Sequence, residues 1–215
     1  MPKRKASRTN RPRKRKPTGQ EARAGRRTLR SEKVGALPIL NHFIRRLRLE
    51  ELLQEHLPPE DKRVKVPASK ALLVLLRNLL VSREPLYGIG QWAAGYAPDL
   101  LGLTLDELEA LNDDGVGRAL GWLFRSAQGA LVLAVVQHTI REFQVTLHEL
   151  HNDSTTITFH GKYEDAEEED LRSGRRTLAI TWGHNKDHRP DLKQLVYILT
   201  LSEDGGVPVH FREAS

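Results

Sequence analysis

The stretch VTLHELHNDSTTITF, residues 145–159, decides how this chain is read. It is rich in β-branched residues (Val145, Thr146, Thr155, Thr156, Ile157, Thr158), whose stiff side chains suit a pleated strand better than a helix. Before it, back to residue 34, apolar residues recur every three or four positions, the helical period. After it come short apolar runs separated by polar stretches. The expected fold class is α+β, with a helical region at 34–144 followed by a β-rich region at 145–215.

Within the helical region the breaks are legible. Leu40, Phe43, Ile44, Leu47, Leu49, Leu52, Leu53 and Leu57 line one face, with an interruption near 47–49 that predicts two short helices. Pro58-Pro59 ends them. A helix opens at Pro67 and runs through Ala71, Leu72, Leu75, Leu76, Leu79 and Leu80. It is apolar nearly all round, which predicts a central position. Pro85 stops it. A short segment follows, with Trp92 and Tyr96 on one side. Thr104 and Glu107 have the spacing of a capping box. Asn112 is placed to cap a helix whose buried stripe is expected to be Val116, Leu120, Leu123 and Phe124. The last helix covers 129–143. Beyond 159, residues 164–170 are acidic and read as a surface loop. Residues 178–182, 192–201 and 207–211 read as strands, with a turn at Glu203-Asp204-Gly205-Gly206.

Charge is distributed unevenly. Residues 1–33 contain 14 Lys and Arg against two acids, while the remainder has 20 basic and 26 acidic residues. The basic character of the chain therefore belongs to a tail with almost no large apolar side chains. Such a segment cannot bury enough surface to offset its ordering entropy, so disorder is expected. Arg13, Lys14, Arg15 and Lys16 within it would attract polyanions by counterion release, without sequence specificity. A solubilising extension is the alternative. An RNA or ribosomal partner is a weaker third reading.

The 215 residues contain no cysteine, which excludes disulfides, thiol catalysis and cysteine-ligated zinc, and fits a reducing compartment. No apolar run approaches the roughly 20 residues that span a bilayer, so no membrane partner is expected. The basic N-terminus lacks the apolar segment of a secretory signal.

Two stretches could carry chemistry. In the first, Asp153 stands in the middle of a β-branched strand, where carboxylates are depleted. It is either an exposed strand residue or a metal-binding carboxylate on a rigid support. In the second, GHNKDHRPDLKQ at 183–194, His184 and His188 stand four apart, with Asp187 and Asp191 nearby. Pro190 and the absence of apolar periodicity argue against a helix that would align them on a metal. A loop that uses Lys186, Arg189 and Lys193 on phosphates is the better reading, and a plain solvated loop the alternative. Trp92, Trp122 and Tyr96 read as core rather than as platforms for bases.

Asp153-Ser154-Thr155, His160-Gly161-Lys162-Tyr163 and the 183–194 stretch resemble the start of the catalytic domain of DDE transposases of bacterial insertion sequences, in the broad IS-four group. Residues 34–40, Pro85-Leu86-Tyr87-Gly88 and 112–120, which include Arg118, resemble the helical N-terminal region of the same family. The resemblance implies an RNase H-like fold for the β-rich part. It implies that Asp153 is the first of three carboxylates holding Mg²⁺ or Mn²⁺, and that the substrate is DNA. The helical region and Arg118 would help grip terminal inverted repeats, and the protein would be cytoplasmic and nucleoid-associated in a bacterium or archaeon, with a homodimer allowed for. The family's second Asp and its Glu have no counterpart before Ser215; Asp187, Asp191 and Asp204 fall too early. The expectation is a truncated, catalytically incomplete transposase. The competing expectation is a non-catalytic basic nucleic-acid-binding protein.

Overall fold

The computed structural model describes residues 31–61, 63–164, 166, 171–172, 174–183 and 188–214. The expectations for the basic tail, including Arg13, Lys14, Arg15 and Lys16, and for Lys186 and Asp187 lie outside the described residues, as does most of the acidic stretch at 164–170. From Glu32 onward the chain forms one compact unit. It is α+β: among the described residues, seven α-helices are followed by antiparallel strands.

The interruption near residue 47 is a reversal at Arg48, whose φ of 50° lies in the left-handed region, between α1 (Leu37–Arg46) and α2 (Leu49–His56). Pro67 precedes α3 (Ala68–Val81), and the side chain of Glu60 reaches forward to accept a 2.8 Å hydrogen bond from the Ala68 N–H, one of the donors a helix start leaves open. After the short α4 (Ile89–Ala93), Thr104 and Glu107 form the expected capping box at the start of α5 (Leu105–Ala110). The same Glu107 carboxylate takes 2.8 and 2.9 Å hydrogen bonds from Lys70 Nζ, tying α5 to α3. Asn112 caps α6 (Asp113–Arg125) through the Gly115 N–H, as its position predicts.

α3 and α6 pack against each other at the centre of the helical part, where Leu37, Val74, Ile89, Leu101 and Val116 are fully or almost fully buried. The buried stripe of α6 is Val116 and Ala119, not Leu120 as expected; Leu120 is 39% exposed. Likewise α3 is central on one side only. Leu75, Leu76 and Leu79 line an apolar hollow of about 460 Å³ shared with Leu131, Val135 and Val136 of α7 (Gln128–Phe143). α7 is fastened to the first helices at its C-terminal end. Arg46 pairs with Glu142 at 2.7 Å and lies over the Phe143 ring at 4.2 Å. His138 Nε2 is 2.7 Å from the Arg46 carbonyl, which can only accept, so that nitrogen carries the proton.

The β-rich region begins later than its composition suggests. Residues 145–149 are not in a strand, and β1 covers Leu150–Phe159. Two short pairs follow: β2 (Leu171–Arg172) with β3 (Arg175–Arg176), and β4 (Thr181–Trp182) with the start of β5 (Lys193–Ser202). The small hairpin of β2 and β3, which carries Arg172, Arg175 and Arg176, is not anticipated by the sequence pattern. β5 pairs antiparallel with β1 over all ten residues, and on its other edge with β4 and then β6 (Pro208–Ala214). The turn at 203–206 forms with Gly205 and Gly206 both at positive φ. Asp204 sits in this turn, and its carboxylate accepts from the Thr146 N–H at 3.2 Å. Among the described residues no single helix is long and apolar enough to cross a membrane.

One buried group stands out in the helical core. Asn78 of α3 is completely buried, and neither its amide oxygen nor its amide nitrogen has a hydrogen-bond partner. An unsatisfied buried amide costs about 1–3 kcal/mol. Asn78→Leu, nearly isosteric and apolar, is therefore expected to raise stability by about that amount in urea unfolding. A loss of stability would show that the amide is bonded in the folded state.

Candidate functional site

The full-length pairing of β1 with β5 brings together the two stretches singled out in the sequence. Phe159 at the end of β1 pairs with Lys193 at the start of β5, and Lys193 pairs on its other side with Trp182 of β4. Directly paired residues point to the same face of a sheet, so Phe159, Lys193 and Trp182 form one cross-strand row. The chain leaves β1 through His160-Gly161-Lys162-Tyr163 and enters β5 through His188-Arg189-Pro190-Asp191-Leu192. Both segments therefore meet at this corner.

The corner is specifically built. Lys193 Nζ donates to the Tyr163 carbonyl at 2.8 Å, fastening the outgoing loop to the incoming strand. The Tyr163 ring packs edge-on to Phe159, with centroids 5.4 Å apart. It also lies so close over Gly161 that a Cβ there would be 2.8 Å from Tyr163 Cε2; Gly161 has a φ of +148°, which only glycine adopts readily. Tyr163 itself has a φ of 44°, a left-handed conformation costing about 1–3 kcal/mol in a residue of this kind. Gly183, next to Trp182, is needed for another close approach. Any side chain there would run into the amide of the buried Gln194.

Arg189 does not stand alone. It forms a two-pronged ion pair with Asp191, Nε to Oδ1 at 2.7 Å and Nη2 to Oδ2 at 2.6 Å. The Arg189 guanidinium holds the Asp191 carboxyl below the usual carboxylate range, and the nearby His160 adds a smaller pull in the same direction. Both partners are exposed, so the pair is weak and exchangeable, and a phosphate can compete with Asp191 for the same fork geometry.

Asp153 lies on β1, as expected for a strand carboxylate, and is exposed. It pairs with Leu199 and shares the face of Phe159, about 20 Å further along the strand. One carboxylate oxygen accepts from the Ser154 N–H at 2.8 Å. Among the described residues no three histidine, cysteine or acidic side chains converge to hold a metal ion. A hard divalent cation needs several oxygen ligands. The described residues supply one carboxylate at Asp153 and do not fit the Mg²⁺ or Mn²⁺ centre that the resemblance implies.

Arg118 is not part of this corner. It is exposed on α6 and lines a hollow of about 630 Å³ whose wall also carries Glu60, Asp61, Arg63 and Glu109. Trp92 and Trp122 are half-buried, as expected, and Trp92 donates from Nε1 to Ser82 Oγ. The sequence reading missed Trp182 and gave no role to Phe159, Gly161 or Tyr163. The signal available was the Gly-Lys-Tyr sequence immediately after a strand.

The model of the DUF4277 family, described as a domain of unknown function, matches residues 29–137. This chain belongs to the DUF4277 family. The match spans just over half of its length, takes in α1 to α6 and most of α7, and leaves the sheet outside. No curated protein and no solved structure matches the chain. In this DUF4277 member the corner described above therefore lies beyond the family's matched region.

The ion pair at the corner has a definite pH signature. A depressed Asp191 pKa means that the pair holds above the ordinary carboxylate range and is released as pH falls through the lowered value. Arg189→Gln should move the Asp191 carboxyl titration upward, toward an ordinary aspartate, when followed by NMR. An unchanged midpoint would show that the two groups are not paired in solution.

Proposed function

We propose that this chain is a DNA-binding part of an insertion-sequence transposase. The helical DUF4277 region and the basic tail hold the element's terminal inverted repeats. The sheet face that carries Asp153 and Lys193 is turned toward the DNA. The observation that carries this reading is the meeting of two separate transposase-like stretches, 160–163 and 188–194, at one sheet corner, on the same face as the transposase-like Asp153. Lys162, Arg189 and Lys193 give that corner three cationic side chains within reach of a phosphate backbone. The long strands lie antiparallel in the order β1, β5 and β6, and the RNase H-like reading takes them as the opening of its sheet.

The reading covers holding DNA, not cutting it. In the transposase family three carboxylates and their divalent ions perform phosphodiester chemistry, and Asp153 is one such group. The alternative, a non-catalytic basic nucleic-acid-binding protein of another kind, rests on the 14 Lys and Arg within residues 1–33.

A gel-shift titration of the full chain separates the two. Duplexes from the repeats flanking its gene are compared with duplexes of scrambled sequence at fixed salt. Specific DNA readout exceeds the nonspecific phosphate term by about 10³-fold or more, while a protein that reads only phosphates shows no preference. The transposase reading predicts a clear preference for the repeat. Equal, steeply salt-dependent binding to both would contradict it. With Mn²⁺ present, the chain is expected to leave the repeat duplex uncut; Asp153-dependent cleavage would show that further ligands complete the centre.

A further inference from the structure

We propose that the row Phe159, Lys193 and Trp182, with Tyr163 at its end, is a stacking site for the unpaired bases of a single-stranded DNA segment. The proposal rests on the DNA-binding reading and narrows it to a strand whose bases are free of their partners.

Exposure of aromatic surface is the first observation. Trp182 is 61% exposed and Tyr163 is 41% exposed. The other two tryptophans are engaged: Trp92 packs on Tyr96 with centroids 5.1 Å apart, and Trp122 lies under the Arg125 guanidinium at 4.5 Å. An indole left this open on a two-residue strand forgoes the burial that such side chains usually supply.

Register is the second. Phe159 and Trp182 flank Lys193 on one face, separated from each other by two inter-strand spacings, about 10 Å. A cation between two rings matches the alternation of base, phosphate and base along an extended strand. Lys193 spends its hydrogen bond on a neutral carbonyl, so its charge remains to meet a phosphate. Every base has a π-face, so such a platform tolerates sequence, whereas a duplex hides those faces in its own stack.

Pre-organisation is the third. Tyr163 is held from three directions before any ligand arrives: by Phe159 at its edge, by Gly161 beneath it and by Lys193 on its carbonyl. A ring so fixed loses little freedom on stacking.

The test uses the full chain and two labelled oligomers with equal numbers of phosphates, a short oligothymidylate and an abasic strand. Raised salt suppresses the contribution of the basic tail. Fluorescence anisotropy should show tighter binding to the oligothymidylate. Trp182→Ala should weaken that binding about 5- to 150-fold, leaving abasic binding and the melting temperature unchanged. Tyr163→Ala, which lies off the strand, should weaken it in the same way and serves if the first variant does not fold. Equal affinity for the two oligomers, or unchanged affinity in both variants, overturns the proposal. Tighter binding to oligouridylate overturns the assignment to DNA. Trp182-dependent binding without any preference for the inverted repeat would remove the transposase reading and keep this site. Preference for the repeat without Trp182 dependence would do the reverse.

Discussion

The ten-residue antiparallel ladder between β1 and β5 is the constraint on which the rest of the site depends. It runs from Leu150 against Ser202 to Phe159 against Lys193 without a break in register. Because side chains alternate strictly, a slip of one residue would turn Asp153 and Phe159 to the opposite face and separate them from Lys193. The ladder also explains why two stretches some 30 positions apart act at one place. One leaves the end of β1 and the other enters the start of β5, and antiparallel pairing makes those two points neighbours. The register irregularity in the sheet falls between β5 and β6, at Thr200 and Leu201, away from this corner.

The helical part is organised by a different means. Its core is apolar, but its elements are tied by polar side chains that each serve two partners. Glu107 caps its own helix and pairs with Lys70 of α3. Asn41 accepts from the buried Arg77 Nε and donates to the Leu100 carbonyl. Burial pushes the Arg77 pKa down, and Glu50 opposes that shift. This is the region that the DUF4277 family shares. The sheet differs: of the ten residues in its central strand, only Gln194 and Ser202 are buried, so both of its faces remain half-open.

Much of the helical architecture was legible because its signals are local. Pro67, the Thr104 and Glu107 pair, and Asn112 each mark a helix start through a hydrogen-bonding requirement that needs no knowledge of the fold. The error at Leu120 has a physical cause: period alone does not say which of two apolar flanks of a helix meets the core, and the small Ala119 lets α6 approach α3 more closely. The strand at 150–159 was legible in kind, but its start was misplaced by the β-branched Val145 and Thr146. For the site, Asp153, Arg189 and Lys193 were identifiable as residue types at unusual positions. Their arrangement was not, because it depends on the register between strands. Trp182 went unassigned for the same reason: its role follows from standing opposite Lys193, which no local pattern encodes.

The central claim is that DNA lies along the face of β1 that carries Asp153. Because the chain has no native cysteine, single cysteines introduced one at a time at positions 152 to 157 can be alkylated with and without bound DNA. The account predicts protection with a period of two, at 153, 155 and 157 and not at 152, 154 and 156. Protection of the even positions, or of none, would contradict it.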